Sequence, residues 1–400
     1  MLKVRRSWPR NLQMRSRNRS RCRFKVDIIR VYTETDKIWI ATMTEAFSLS
    51  IADTSEIISP GLVLFREIME SNLDEMTRQA GDVSRLRPHC KTHKMPEVIK
   101  ILLGRGITKH KCATFAEAEM LAECGVKDIC LAYNLVGPNV DRAIQFRRAY
   151  PDVTFIITAD HAVPLQQLSD AAVAADLGVE VLIDLDTGQH RTGIEYGAGA
   201  VELYQLMGEL PGIIPGGIHL YDGQNHQSDL QERIEAVNEC WRQAVALKSD
   251  VEAIGLSVPR VVAGGTGSFP IYASLADPVI EASPGTNIFF DSNYGRMFPD
   301  LNYVPAMRIL SRVISCPSNG RVTFDLGYKA CASDPPAGSR VVIPDIGDAD
   351  AVLQNEEHLV IKTDAHAEFT PGDEILAIPA HVCPTSALHK SVYVIENGEV

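Results

Sequence analysis

The chain has 400 residues, 45% of them hydrophobic, and a formal net charge of −12 at pH 7. That length holds one large domain and a smaller one. The acidity argues against a nucleic-acid-binding body, and no run approaches the ~20 apolar residues that span a bilayer. The nine cysteines stand singly with no CxxC pair, which suits a reducing, cytoplasmic setting better than a disulfide framework.

Charge is unevenly placed. Residues 1–30 carry a net of +10 and leave about −22 to the remainder. An Arg-rich, acid-poor leader without periodicity reads as an organelle transit segment or as an upstream extension with Met43 as the start. The extension is favoured, and residues 1–42 are set aside as a disordered basic segment. Residues 43–56 form an amphipathic lead (Phe47, Leu49, Ile51), expected to pair as a strand with a later β domain. An apolar run at 62–65 and a helix-like stretch at 66–80 follow.

From residue 85 an alternation sets in. β-type runs at 85–91, 109–114, 128–134, 153–159, 179–186, 213–221, 260–266 and 279–290 are separated by helix-like stretches such as 115–124, 138–150, 161–176 and 229–248. Eight such alternations predict a parallel (β/α)8 TIM barrel over 57–290. A doubly wound open sheet is the alternative, because periodicity does not establish closure. After 291 the texture changes to short β-rich segments (306–314, 321–326, 358–362, 374–378, 391–396) broken by Gly, Pro, Asn and Asp. That predicts an all-β domain over 291–400.

Functional groups of a parallel barrel sit at the C-terminal ends of its strands, and the chemistry-bearing residues fall there. Lys91 ends the first run, among Arg87, His89, His93 and Lys94. Neighbouring cations destabilise an ammonium and favour Schiff-base chemistry, whereas a lysine is ordinarily a solvated surface residue. Tyr133 ends the third run. His219, Tyr221 and Asp222 end the sixth, where an aromatic is as often simple packing. The seventh run ends in Gly264-Gly265-Thr266-Gly267-Ser268, whose glycines allow close approach of backbone N–H groups to an anion. Alone such a run is more often a turn, and it lacks the Lys-Ser/Thr ending of a P-loop. Arg191 lies in a glycine-flanked loop, where an ion pair with Asp184 or Asp186 is the ordinary expectation. His381 and Cys383, read as a strand, share one face and could hold one ion, although two ligands alone carry little weight.

The octapeptide Arg87-Pro88-His89-Cys90-Lys91-Thr92-His93-Lys94 resembles the lysine motif of the D-threonine aldolase and eukaryotic-type D-serine dehydratase family. Those are pyridoxal-phosphate (PLP) enzymes of the alanine-racemase fold type, and the likeness extends from about residue 57 to the C-terminus. It implies an alanine racemase N-terminal-like barrel, Lys91 as the residue that carries PLP, and Arg191 facing the phenolic oxygen of the cofactor ring. It also implies Tyr221 against that ring, with His219 and Asp222 among the catalytic groups. Gly265, Thr266 and Gly267, followed by Gly285, Thr286 and Asn287, would form the two halves of a phosphate cradle. His381 and Cys383 would bind a divalent metal, zinc ahead of manganese or magnesium given the thiolate, with Glu356, Glu357 and His358 either behind them or forming a solvated surface cluster. A metal beside such a cofactor suits D-3-hydroxy amino acids. D-threonine cleavage to glycine and acetaldehyde is the first expectation, and dehydration of D-serine or 3-hydroxyaspartate the alternative. The segment 291–296 looks like the aldolase side, whereas His381-x-Cys383 looks like the dehydratase side. Some family aldolases carry histidine where Asp222 stands, which leaves the β-hydroxyl base open: Asp222, directly or through a metal-bound water, is one candidate, and a cap for the helix after the sixth run is its ordinary alternative. Alanine racemase chemistry ranks lower, since it has no use for the metal pair, and a PLP-binding protein without turnover is the non-enzymatic alternative. A homodimer is implied by resemblance only.

Overall fold

A computed structural model describes residues 49–344, 346 and 349–400. The expectations placed on 1–48 lie outside the described residues. The first strand, β1 (Gly61–Phe65), runs straight into helix α1 (Arg66–Ala80). The helix buries Ile68, Met69, Leu73, Met76 and Ala80 on one face, the spacing of an amphipathic helix laid on a core.

The barrel follows in strict alternation. Its strands are β2 (Lys109–Cys112), β3 (Asp128–Asn134), β4 (Thr154–Ala159), β5 (Val179–Asp186), β7 (Ile213–Leu220), β8 (Val261–Ala263) and β9 (Ile280–Ala282), with a short β6 (Ile194–Glu195) beside β5. The intervening helices are α2 (Pro96–Gly104), α3 (Phe115–Glu123), α4 (Pro138–Ala149), α5 (Ala162–Ala175), α6 (Ala198–Glu209), α7 (Leu230–Ala253) and α8 (Phe269–Ser274). All neighbouring barrel strands pair in parallel. The eighth stave is the extended stretch 86–89. Arg87 N–H donates to Ala282 O at 2.9 Å and His89 N–H to Pro284 O at 2.8 Å, while Lys111 N–H donates to Pro88 O at 2.9 Å. This stretch bridges both ends of the seven-strand sheet, so the sheet closes and the open-sheet alternative falls. The stave is shorter than expected from 85–91, because short 3-10 turns at Val83–Arg85 and Cys90–Thr92 flank it. The last expected run is likewise cut to Ile280–Ala282, with a 3-10 turn at Thr286–Ile288.

Inward-pointing residues alternate along each strand, and they stack by chemistry. The floor is ionic. Arg87 Nε meets Glu281 at 2.5 Å and Arg87 Nη1 meets Asp128 at 2.7 Å. Lys109 reaches Glu281 at 2.8 Å, and Arg260 pairs with Glu180. Above this lies a small apolar plug of Cys130, Ile156, Leu182 and Val262. The upper layer is polar. Thr158 donates to Asn134 Oδ1 at 2.5 Å, Asn134 Nδ2 lies 3.5 Å from Asp184, and His219 Nδ1 is 2.7 Å from Asp184. Polar groups are costly to bury unless paired, so this layer marks the end of the barrel that serves a ligand.

Beyond α9 (Ser292–Met297) the chain forms an antiparallel sheet of β10 (Met307–Ser315), β11 (Arg321–Phe324), β12 (Val341–Val342), β13 (Ala349–Gln354), β14 (Leu359–Thr363) and β15 (Glu374–Pro379). Helix α10 (Val382–Leu388) and β16 (Tyr393–Ile395) follow. β1 belongs here: it pairs antiparallel with β10 and parallel with β16. Of the strand expected at 43–56, residues 43–48 lie outside the described residues, and the pairing with the β domain is made by Gly61–Phe65. Residues 49–56 carry no strand and are tied down singly, by Ala52 N–H to Gly398 O at 2.8 Å and by Thr54 Oγ1 to Glu374 at 2.8 Å.

Candidate active site

Lys91 sits half-buried in the turn that follows the eighth stave. Pro88 keeps the residue before it extended, and His89 Nδ1 accepts the Lys91 N–H at 3.3 Å. The lysine ammonium lies 6.0 Å from the centre of the Tyr221 ring, and the Arg191 guanidinium lies 4.8 Å from it. Arg191 also reaches the Tyr221 side chain by hydrogen bond. The ion pair expected for Arg191 does not form, because Asp184 holds His219 and Asp186 holds His190. Tyr133, by contrast, is 55% exposed and stands away from this group.

His219 is buried, and burial depresses its imidazole pKa against the raising pull of Asp184. Asp184 is depressed too: burial would raise it, but hydrogen bonding and charge from His219 outweigh that. With Nδ1 held by Asp184, the buried Nε2 of His219 has no partner, which leaves a polar atom placed for a ligand. Lys111, on the inner face of β2, is a second buried lysine. Burial pulls its pKa down to about 8.

The glycine run forms a cradle. Gly264 holds φ at +85°, and a Cβ on Gly267 would stand 2.4 Å from the Phe298 ring. Thr286 N–H donates to Thr266 Oγ1 at 3.0 Å, which joins the two halves. The backbone amides of Thr266, Gly267 and Ser268 have no acceptor among the described residues. A cavity of about 350 Å³ is lined by Tyr221, Asp222, Gly265 to Ser268, Asp291 and His381, among others. Lys91 and the second half of the cradle lie beside it: Gly285 faces His89 Cβ and Thr92 Oγ1, each 3.7 Å from a Cβ placed on it. Asn287 is fully buried, and neither polar atom of its side chain has a hydrogen-bond partner among the described residues.

The metal pair is not on a strand. His381 precedes α10 and Cys383 lies in its first turn, and the two side chains meet by hydrogen bond. His381 Nδ1 is 2.6 Å from Asp334 Oδ2. Burial would lower the His381 pKa, but Cys383 and Asp334 push it up to about 9. Glu356 and Glu357 are not behind this pair as expected; they bind Lys329 at 2.6 and 3.0 Å, and His358 is exposed. Asp334 takes the supporting place, in a loop whose sequence carries no signal for it. Cys383 Sγ lies 3.2 Å from Thr92 Oγ1 and 3.4 Å from Thr286 Oγ1. It therefore touches both the lysine turn and the cradle.

Both groups implied by the sequence fit these residues. Free backbone amides and a glycine cradle suit a phosphate, an unpartnered imidazole nitrogen awaits a ring or substituent, and imidazole with thiol is a donor set for zinc.

A barrel with a lysine at its mouth, joined to a β domain that takes in the strand preceding the barrel, is the alanine racemase class of fold. Residues 66–293 match the family described as "Alanine racemase, N-terminal domain", and residues 306–395 match "Putative serine dehydratase domain". The chain belongs to this family of PLP-dependent lyases. It is 30% identical over 355 residues to the D-threonine aldolase of Arthrobacter sp, covering 86% of this chain and 91% of that one. It is 28% identical to the D-threo-3-hydroxyaspartate dehydratase of Delftia sp. (strain HT23), covering 82% and 92%. The crystal structure of D-threonine aldolase from Filomicrobium marinum superposes with a TM-score of 0.77 at 26% identity, over 87% of this chain and 94% of that one. Among the described residues no helix is long and apolar enough to cross a membrane.

Proposed function

We propose that the protein is a PLP- and divalent-metal-dependent lyase of D-3-hydroxy amino acids, cleaving D-threonine to glycine and acetaldehyde. One observation carries this reading: Cys383 Sγ stands 3.2 Å from Thr92, the residue after Lys91, and 3.4 Å from Thr286 of the cradle. An ion held by His381 and Cys383 would therefore lie at the cofactor mouth, where the β-hydroxyl of a substrate must be. When bound, PLP supplies electron withdrawal from Cα and the ion polarises the β-hydroxyl.

The remaining work falls to the chain. Lys91 attaches the cofactor and, as an amine at the mouth, can accept or return a proton at Cα. Arg191, exposed at the mouth, holds its guanidinium 4.8 Å from the centre of the Tyr221 ring and would favour an ionised oxygen placed next to it. His219, its Nδ1 held by Asp184, would offer its unpartnered Nε2 to the cofactor. Thr266, Gly267 and Ser268 bind the phosphate through backbone amides.

Dehydration of D-serine or 3-hydroxyaspartate is the second reading, favoured by the serine dehydratase-type match over residues 306–395. Purified protein supplied with D-threonine and with D-serine separates the two. Glycine and acetaldehyde from D-threonine support cleavage; pyruvate and ammonia from D-serine, with no glycine from D-threonine, move the assignment to dehydration.

A further inference from the structure

Asp222 was expected to serve as the base for the β-hydroxyl, or else to cap the helix after its strand. The cap is taken by Asp229, whose side chain accepts from Glu232 N–H at the start of α7. Asp222 itself is 1% exposed, and its oxygens are occupied. Ser268 Oγ donates to Oδ1 at 2.7 Å, and Asn225 Nδ2 lies 3.3 Å from Oδ2. The hydroxyl of Tyr272, a fully buried residue of α8, lies near this carboxylate but has no hydrogen-bond partner among the described residues. Ser268 Oγ in turn accepts the Gly265 N–H at 3.0 Å. The Tyr272 ring closes the other side, 2.8 Å from where a Cβ on Gly264 would stand. Two donors, one from the loop after β7 and one from the glycine turn, thus converge on one carboxylate behind the cradle, with Tyr272 of α8 packed beside it.

We propose that Asp222 is a positioning residue for the cofactor phosphate, fixing Ser268 and through it Gly265, so that the Thr266, Gly267 and Ser268 amides stay aimed at the anion. This rests on the PLP reading above. Two effects oppose each other in Asp222→Asn. Removing a negative charge from behind an anion site relieves repulsion. An amide, however, offers an acceptor on one side only, so its NH2 faces a donor and one bond of the set is lost. Leaving a buried donor unpaired outweighs screened repulsion through the loop, so the net effect is a looser cradle.

The test uses the apo forms of wild type, Asp222→Asn, Ser268→Ala and the double variant, titrated by absorbance with PLP and with pyridoxal, which lacks the phosphate. Each single variant should bind PLP roughly 10-fold or more weakly. Pyridoxal affinity should change less than about twofold, and the double variant should be no worse than either single one, as for two parts of one unit. Equal weakening toward PLP and pyridoxal would mean a general collapse of the mouth and overturn the role. So would unchanged or tighter PLP binding alongside a ~10²-fold loss of D-threonine cleavage, which is the signature of a base. If Asp222→Asn does not fold, Ser268→Ala carries the same comparison. Wild type that binds neither compound overturns the cofactor reading, and this role with it.

Discussion

Glu281→Gln should strike the stave that carries Lys91 without touching the mouth. Glu281 is 7% exposed and receives Arg87 at 2.5 Å, Lys109 at 2.8 Å and, more distantly, Arg260 at 3.7 Å. Arg87 is fully buried and would keep only Asp128 at 2.7 Å. Gln preserves the shape but turns an NH2 toward a cation. Breaking one partner of a buried pair costs about 3–5 kcal/mol, and the remaining Asp128 and the partial exposure of Lys109 and Arg260 reduce this to about 2–3 kcal/mol. Urea unfolding at pH 7 measures the difference, with Arg242→Gln, on an exposed helix pair with Glu239, as a control near zero. The charge origin gives a second check. Burial would raise the Glu281 pKa, but Arg87 and Lys109 bring it below its ordinary value of 4.5. The stabilisation is therefore complete above that value and is lost as pH falls through the depressed one, so wild type and variant should converge in acid. A difference below about 0.5 kcal/mol at pH 7, or one that persists undiminished at acid pH, would refute the ionic floor as a source of stability.

Lys91→Ala should lose covalent PLP: borohydride treatment followed by peptide mass analysis should label one peptide in wild type and none in the variant, and labelling at Lys94 or Lys111 would reassign the attachment. Cys383→Ser should lose bound metal and most D-threonine turnover, and because Cys383 touches the lysine turn, removing the ion with a chelator should also shift the cofactor absorbance; full turnover in metal-free protein would end the metal reading. Burial holds His93 at about 3 and His110 at about 4, against an ordinary 6.5. Each stays neutral when folded while the unfolded chain takes up its proton, so stability falls below pH 6.5 by about 1.4 kcal/mol per pH unit for each histidine. Unfolding free energies that stay flat between pH 7 and 5 would contradict that burial.

Much of this was open to reading in the sequence because it is local. Strand and helix periods show in a few consecutive residues, so seven of the barrel runs fall on observed strands and the eighth on the closing stave at 86–89. The glycine run at 264–268 and the lysine turn are likewise local signals. What stayed hidden depends on partners distant in sequence. The i, i+2 spacing of His381 and Cys383 suggested a strand, yet the segment caps and enters a helix, and Pro384 in its first turn is the signal that favours that. Asp334 reaches His381 from a loop without periodicity. The role of β1 is decided by hydrogen bonds to β10 and β16, which no local pattern announces. Asp222 looked like a reactive group because it sits at a strand end, but its neighbours Ser268 and Tyr272 are supplied by a later loop and helix.

The way the two bodies are closed has a consequence for how the protein is made. The stave at 86–89 finds its partners at 282–284, roughly two hundred residues later, and β1 finds β16 only at 393–395. Contacts of such separation form late and slowly, after the loop-closure entropy has been met. On the ribosome, the stave at 86–89 can meet β2 early but gains its second neighbour only when the ninth strand is out, and β1 waits for residues 393–395. A nascent chain therefore leaves the barrel unclosed until β9 is out, which is the interval in which the barrel edges are most open to aggregation. Loss of β16 alone would leave β1 paired on one side only, so residues 393–395 hold in place a strand that stands more than three hundred residues before them.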